Sequence, residues 1–454
     1  STLGVDVKLF LPFYREIKRK NLHFKKILPG QRMDWNGKME DFSLWEANAD
    51  SFSVYFIEKD EYYDRDYLYA SPQGDYPDNG ERFAFFSKAS LVSLKALNFK
   101  PHILHGHDWQ TAPALAYLKF LYKGDPFFQN IRSLFTIHNL AYQGLFKRDV
   151  LSRIGLPDSL FNMEDLEFYG KVNFLKAGIL YATAVSTVSP RYSQEIQTPE
   201  YGHGLDGLLR KRKDALSGIL NGVDYSAWNP SSDGFLVSSF GPDDFRGKKE
   251  CKRDLLHTFH LRRTRKNIPV LGMVSRLAGQ KGLDLLCNAL ESLFRTDVFL
   301  IILGTGEENI QNVLKAAQEQ HPSRFGLHIA FDEALAHKIT AGSDLFLIPS
   351  RYEPCGLTQM YSLKYGTIPV VRATGGLEDT IQEFNPETKT GNGFKFQEYT
   401  AEAFLKSLEK ALQIYPQKNL WRRLIQNAMA SDFSWERSAQ DYLRLYETLV
   451  QSPF

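Results

Sequence analysis

Two separate series of short apolar runs, each interleaved with stretches of helical period, run through this chain of 454 residues and limit what it can fold into. In the first series, apolar runs at 102–105, 132–137 and 182–188 alternate with helical patterns near 84–97, 110–122 and 171–181. In the second, Pro269 to Ser275 reads as a strand, Leu283, Leu286, Leu290 and Leu293 recur at helical spacing, and Val298 to Leu303 is again apolar. Leu345 to Ile348 and Ile368 to Val371 continue that series. Such alternation builds a parallel sheet with helices on its faces, so the predicted class is α/β with two doubly wound domains. Between Asn221 and Arg246 the texture changes to Asn-Gly, Asn-Pro, Ser-Ser, Asp-Gly and Gly-Pro pairs, which favour turns. A boundary is therefore expected near residue 240, with domains at 1–240 and 241–430. Tyr442, Leu445, Tyr446 and Leu449 predict a closing amphipathic helix within 431–454. Val5, Val7, Leu9 and Leu11 predict an opening strand, and the polar, aromatic stretch 12–80 is expected to form a hairpin and excursion loops.

Composition narrows the partners. At about 150 residues per domain the length suits two large α/β domains, and an apolar fraction of 43% can fill their cores. A formal net charge of +2 offers no basic surplus for coating phosphates, so a nucleic-acid partner is not expected. The three cysteines, Cys251, Cys287 and Cys355, have neither disulfide-framework nor zinc spacing and fit a reducing compartment. No apolar run approaches the ~20 residues that span a bilayer, so no membrane partner is expected.

Candidate chemistry sits where apolar runs end. Arg276 and Lys281 follow the run Pro269 to Ser275 and could hold a diphosphate between them, or form a solvated pair capping loop carbonyls. Glu353, three residues past Ser350, could bond sugar hydroxyls or stabilise charge on an anomeric carbon; the plainer alternative is a surface glutamate paired to Arg351. Thr374-Gly375-Gly376-Leu377 precedes a helix expected near Glu378 and could bring backbone close to phosphate, or be a simple turn. Gly304-Thr305-Gly306 lacks the third glycine of a dinucleotide fingerprint. His105, His107 and His138 end two further runs, which leaves open sugar binding by neutral imidazoles, a His-x-His metal site, or packing and capping.

These segments stand in an order that resembles one family. They are His105-Gly-His-Asp-Trp-Gln-Thr111, Phe135-Thr-Ile-His-Asn-Leu-Ala-Tyr-Gln-Gly144, and Ile219-Leu-Asn-Gly-Val-Asp224 leading to Trp228-Asn-Pro230. They continue with Val274-Ser-Arg-Leu-Ala-Gly-Gln-Lys-Gly282, Ser350-Arg-Tyr-Glu-Pro-Cys-Gly-Leu-Thr-Gln359, Thr374-Gly-Gly-Leu377 and Asp432-Phe-Ser-Trp435. The resemblance, almost end to end, is to the bacterial glycogen synthases and plant starch synthases. It implies a GT-B fold of two facing Rossmann-like domains with a central cleft. The implied reaction is transfer of glucose from ADP-glucose to the nonreducing 4-hydroxyl of an α-1,4-glucan, with retention and with no metal or other cofactor.

Carried over by position, the resemblance implies that His107 contacts the donor glucose, Glu353 binds its hydroxyls near the reacting centre, and Arg276 and Lys281 stabilise the leaving diphosphate. It gives Cys355, Gly356, Leu357 and Thr358 together with Thr374, Gly375, Gly376 and Leu377 to the donor cradle, along with Tyr76 and Asn221. His138, Asn139, Tyr142 and Gln143 go to the acceptor side. Cleft closure would exclude water, and the final helix would cross back to the first domain.

Two departures from the family pattern set further expectations. A Lys-x-Gly-Gly-Leu loop is expected ahead of the opening strand and does not stand in this sequence, which predicts reduced transferase activity for these 454 residues and keeps an impaired glucan-binding relative as an alternative. Phe331 stands where an aromatic, often tyrosine, is expected against adenine, so stacking is kept and a hydroxyl bond is not. A GT-B transferase with another donor is the second alternative. The compartment implied is the cytoplasm for a bacterial protein, or the plastid for a plant or algal one.

Overall fold

The computed structural model of the chain describes residues 2–49, 52–71, 73–261 and 267–451. They form two compact units. The first comprises Ser1–Thr187, Ile196–Ser217 and Gln440–Phe454, and the second Val188–Glu195 and Gly218–Ala439.

The second unit holds a six-stranded sheet, all parallel, whose spatial order is Phe325–His328, Phe299–Leu303, Val270–Val274, Leu345–Ile348, Ile368–Arg372, Phe394–Phe396. In chain order this is 3-2-1-4-5-6, the Rossmann arrangement. The middle strands are near-continuous apolar runs because helices cover both faces of such a sheet. Leu283, Leu286, Leu290 and Leu293, read from the sequence as one helical stripe, are all buried on the helix Leu283–Phe294. The strand order reverses between the first strand, Val270–Val274, and the fourth, Leu345–Ile348. Ligands of such sheets bind outside the carboxyl ends of the strands at this switch.

In the first unit, Ile103–His107, Arg132–Ile137 and Ala184–Thr187 pair in parallel, with Leu216–Gly218 at the edge. Residues 12–80 contain the expected hairpin, and a second sheet extends it into what was expected as excursion loops. Lys8–Pro12 lies parallel to Phe52–Glu58, which continues antiparallel to Lys38–Ala49 and Lys25–Trp35. The hairpin between the two longest strands turns at Asn36-Gly37, both with positive φ (55° and 77°), the two-residue turn that matches strand twist. That Asn-Gly pair was the available signal. The helix Asn79–Ala96 packs with this region through the fully buried Arg82, which donates to the carbonyls of Tyr62 (2.8 Å) and Leu68 (3.1 Å).

The change of unit falls at Ser217/Gly218, ahead of the expected boundary near residue 240. Side chains explain the difference. Trp228 is stacked between His337 (3.7 Å between ring centroids) and Tyr361 (4.0 Å), and Phe240 joins the buried core, so the turn-rich stretch belongs to the second unit. The helix Trp435–Gln451 is counted with the first unit from Gln440 onward. There Leu449 is buried with Leu134 and Ala184, and Tyr442, Leu445 and Tyr446 pack beside them. Among the described residues no helix is long and apolar enough to cross a membrane.

Candidate functional site

Three loops meet at the switch point of the second unit. The first leaves the strand Val270–Val274 and carries Arg276 and Lys281 to the start of the helix Leu283–Phe294. The second leaves Leu345–Ile348 and carries Ser350 to Thr358. They are joined by a backbone bond from the Arg351 amide to the Gln280 carbonyl (2.9 Å). Gly282 permits this approach: its φ is +75°, and a Cβ there would stand 2.0 Å from the Pro349 carbonyl oxygen.

That proximity brings Lys281 to Glu353. The ammonium lies 2.9 Å and 2.6 Å from the two carboxylate oxygens, and the Ser350 hydroxyl donates to one of them at 3.0 Å. Glu353 is buried. The surface-glutamate alternative is thereby corrected, because Arg351 turns away to Asp284 (2.8 Å) and over the Tyr399 ring. Arg276 is exposed in the same loop, with its guanidinium donating to Gln280 Oε1 (2.9 Å). The sequence-predicted trio therefore belongs to adjoining loops at the mouth of one sheet.

The third loop, after Ile368–Arg372, differs from expectation. The helix spans Gly375–Thr380, so the glycine pair is its first turn and does not precede a helix at Glu378. Its backbone is already occupied. The Gly375 amide donates to both oxygens of the Glu195 carboxylate (3.1 and 3.0 Å), and the Thr374 hydroxyl donates to the same group at 3.1 Å. The Gly376 amide donates to the carbonyls of Glu353 (3.1 Å) and Pro354 (3.2 Å), and the Leu377 amide to Thr374 (3.0 Å). Thr374 and Gly375 thus hold Glu195, Gly376 holds the Glu353 loop, and the amides of Gly375, Gly376 and Leu377 all have partners within the second unit. A Cβ on Gly376 would stand 2.0 Å from the Cys355 carbonyl oxygen, which is why glycine is needed there.

Cys355 is likewise turned inward. Its thiol is buried, which pushes its ionisation up to about 12, against the backbone of Asn221 that bonds it. Next to it Gly356 has φ +70°, and Leu357 and Thr358 stand at the start of the helix Thr358–Lys364. Phe331, between the strand Phe325–His328 and the helix Glu333–Gly342, is 90% exposed, with its ring face open. A cavity of about 530 Å³ opens beside its neighbour Asp332, lined also by Phe259, His260, His328 and Lys338, and none of Arg276, Lys281 or Glu353 lines it.

The first unit gathers its histidines. His105 and His107, two residues apart on one strand and so on one face, stack at 4.1 Å, and His107 Nδ1 is 3.0 Å from His138 Nε2. Behind them His105 bonds the Tyr446 hydroxyl (2.7 Å) and the Thr136 hydroxyl (2.6 Å). Asp108 takes a left-handed conformation (φ 55°), and its carboxylate accepts from the His138 amide at 2.8 Å. His107 keeps an exposed surface while its ring packs beside those of His105 and His138, and desolvation, then His138, push its ionisation down to about 4. Burial pushes His105 down as well. Both rings are therefore neutral at neutral pH, suited to bonding hydroxyls. His105, one of the three histidines read from the sequence, and Tyr446, which sequence reasoning did not place in the site, are the support behind His107; the helical stripe containing Tyr446 was the signal.

The acceptor candidates divide. Tyr142 is 53% exposed, and Asn139 accepts from the Ala141 amide (3.1 Å) in a local turn. Gln143 is corrected: it is buried, accepting from Asn173 Nδ2 (2.7 Å) and donating to the His203 carbonyl (3.1 Å), so its amide serves the fold. Tyr76 lies under two guanidinium groups, Arg65 at 4.8 Å and Arg82 at 5.0 Å.

The profile described as "Starch synthase catalytic domain" matches residues 1–211, and that described as "Glycosyl transferases group 1" matches 260–430. Over 99% of this chain and 92% of its own length, a glycogen synthase of Koribacter versatilis is 46% identical. A glycogen synthase of Thermotoga maritima is 43% identical over 98% of this chain and 92% of its own. Among solved structures, the catalytic domain of starch synthase IV from Arabidopsis thaliana, bound to ADP and acarbose, superposes with a TM-score of 0.90 at 33% identity, covering 99% of this chain and 93% of that one. A sucrose-phosphate synthase from Thermosynechococcus elongatus matches with a TM-score of 0.56 at 15% identity, a likeness of fold alone.

Proposed function

The chain belongs to the glycogen synthase and starch synthase family of glycosyltransferases, and on that premise we propose that it extends an α-1,4-glucan by transferring glucose from ADP-glucose to a nonreducing 4-hydroxyl, with retention of configuration. Its two Rossmann-like units are those of the GT-B fold class.

The observation that carries the reading is the Lys281–Glu353 pair, with Arg276 in the adjoining loop, at the switch point of a Rossmann sheet. When the bond from the anomeric carbon to phosphate breaks, the electron pair leaves with ADP. The acceptor oxygen bonds the carbon and its proton is released. Arg276 and Lys281 oppose the charge that grows on the diphosphate, each contributing up to roughly 4 kcal/mol at ~4 Å and an effective dielectric near 20, before desolvation. Glu353 accepts from donor-glucose hydroxyls while Lys281 fixes its orientation. Phe331 offers a face to adenine, Gly356 to Thr358 contact phosphate or sugar, and the neutral His107 contacts the glucose. In this reading Tyr76 and Asn221 act as walls of the donor site. His138, Asn139 and Tyr142 serve the acceptor. The bacterial relatives support action in the cytoplasm.

The test is incorporation of label from ADP-[14C]glucose into glycogen, with UDP-glucose run in parallel. Faster incorporation from ADP-glucose, reduced at least tenfold in Arg276→Ala, is expected. No incorporation from ADP-glucose into glycogen or maltotetraose would end the proposal.

A further inference from the structure

Tyr169 occupies a position that its own fold does not justify. It is the first of two residues linking the strands Glu167–Phe168 and Lys171–Asn173 in the first unit, with φ +48° followed by Gly170 at +77°. A two-residue turn with both φ positive favours Asn-Gly, and a bulky aromatic in the left-handed region is strained. Burial does not offset that strain, because Tyr169 is 83% exposed. It meets the Phe168 ring edge-on at 4.7 Å, and its ring edge lies over Gly204, where a Cβ would come within 3.3 Å of it.

The turn is nevertheless held firmly. The Gly170 amide donates to the Glu167 carboxylate at 2.7 Å, and the last residue of the hairpin, Asn173, is buried and clamped by Gln143. Through Gln143 the hairpin is tied directly to Tyr142, one of the acceptor candidates. At its other side the Lys176 ammonium bonds the carbonyls of Met163 (2.7 Å) and Glu167 (2.8 Å), which sets Met163, itself 81% exposed, beside the hairpin. A flat ring is thus fixed in water at a place where asparagine would relieve the backbone. Strain kept at an exposed, well-supported position points to a ligand.

We propose that Tyr169 is a stacking platform for the glucan chain, an acceptor contact beyond the set at His138 to Tyr142. The inference rests on the reading of the chain as a glucan-extending enzyme, since a polymer of pyranose rings presents the apolar C–H faces that an uncharged, rigid aromatic takes at small entropic cost.

The test compares Tyr169→Asn, Tyr169→Phe and Tyr169→Trp with the unaltered chain by affinity electrophoresis in gels containing glycogen, and by the KM for glycogen. The asparagine variant is expected to bind glycogen about fivefold more weakly, while phenylalanine and tryptophan retain binding. Its melting temperature should not fall, because asparagine suits the turn, so the loss cannot come from unfolding. Unchanged glycogen affinity in Tyr169→Asn, in an enzyme that does transfer glucose, overturns the platform and leaves the synthase reading standing. Absence of transfer by the unaltered chain sinks the synthase reading itself. A concentration-dependent dimer abolished by Tyr169→Asn would assign the ring to a second copy of the chain and also overturn the platform.

Discussion

Both carboxylate oxygens of Glu353 are held by a single ammonium group, that of Lys281, at 2.9 Å and 2.6 Å, so the two side chains form one unit whose charges are balanced before any donor arrives. Because Glu353 is buried and Lys281 partly exposed, the two members are not equivalent. Lys281→Ala leaves a buried carboxylate bonded by the Ser350 hydroxyl but without its cation and should lower stability by about 3 kcal/mol. Glu353→Gln removes the charge but keeps a hydrogen-bonding group, and should lower it by about 1 kcal/mol. Both should reduce turnover by roughly 10²–10³-fold. Urea unfolding with parallel transfer assays checks this, and equal stability losses would show that the pair is not the buried unit described.

Gly376→Ala should act on Glu353 without touching it. The added Cβ would stand 2.0 Å from the Cys355 carbonyl oxygen, a backbone atom with no flexible end to yield, while the Gly376 amide bonds the Glu353 carbonyl. The overpacking should cost about 1–3 kcal/mol and shift the loop. Donor affinity by calorimetry should fall along with the melting temperature. A variant with unaltered donor binding would show that the turn does not set the position of Glu353.

His107 should be silent in the pH profile near neutrality. Its ionisation is pushed from 6.5 down to about 4, so the neutral form persists as pH falls through 6. Between those two values the unfolded chain binds more protons at this residue than the folded one, so its contribution to stability is lost as pH falls from 6.5 towards 4. For kcat/KM with ADP-glucose, no limb between pH 6 and 8 should disappear in His107→Asn. Loss of such a limb in the variant would contradict the neutral imidazole.

Lys248 should tilt stability in the opposite part of the scale. Its ammonium is buried, donating to the carbonyls of Ala341 (3.0 Å) and Tyr365 (2.9 Å) and to the Thr367 hydroxyl (2.6 Å). Burial pushes its ionisation from 10.5 down to about 7. Between these values the unfolded chain carries the extra proton, so raising pH favours the folded state, with a slope of at most about 1.4 kcal/mol per pH unit. Denaturant midpoints measured from pH 7 to 10 should rise more steeply in the unaltered chain than in Lys248→Met. Parallel curves would remove the lysine as their source.

Apolar runs of strand length followed by helical period leave few ways to bury both faces of a sheet, so the two Rossmann-like series and the loops at their strand ends were legible from the residues alone. So was the family, through ordered motifs that span nearly the whole chain. Tertiary structure decided which polar groups are still available to a ligand. Thr374 to Leu377 look like a phosphate cradle in sequence, yet Glu195, 180 residues earlier in the chain than Gly375, accepts from the Gly375 amide, and Gly376 bonds the Glu353 loop. Gln143 looks like an acceptor contact and instead clamps Asn173. Trp228 lies in turn-rich sequence, but its place between His337 and Tyr361 puts that stretch in the second unit. In each case a hydrogen bond or ring contact is made by a partner far along the chain, and local pattern carries no record of it.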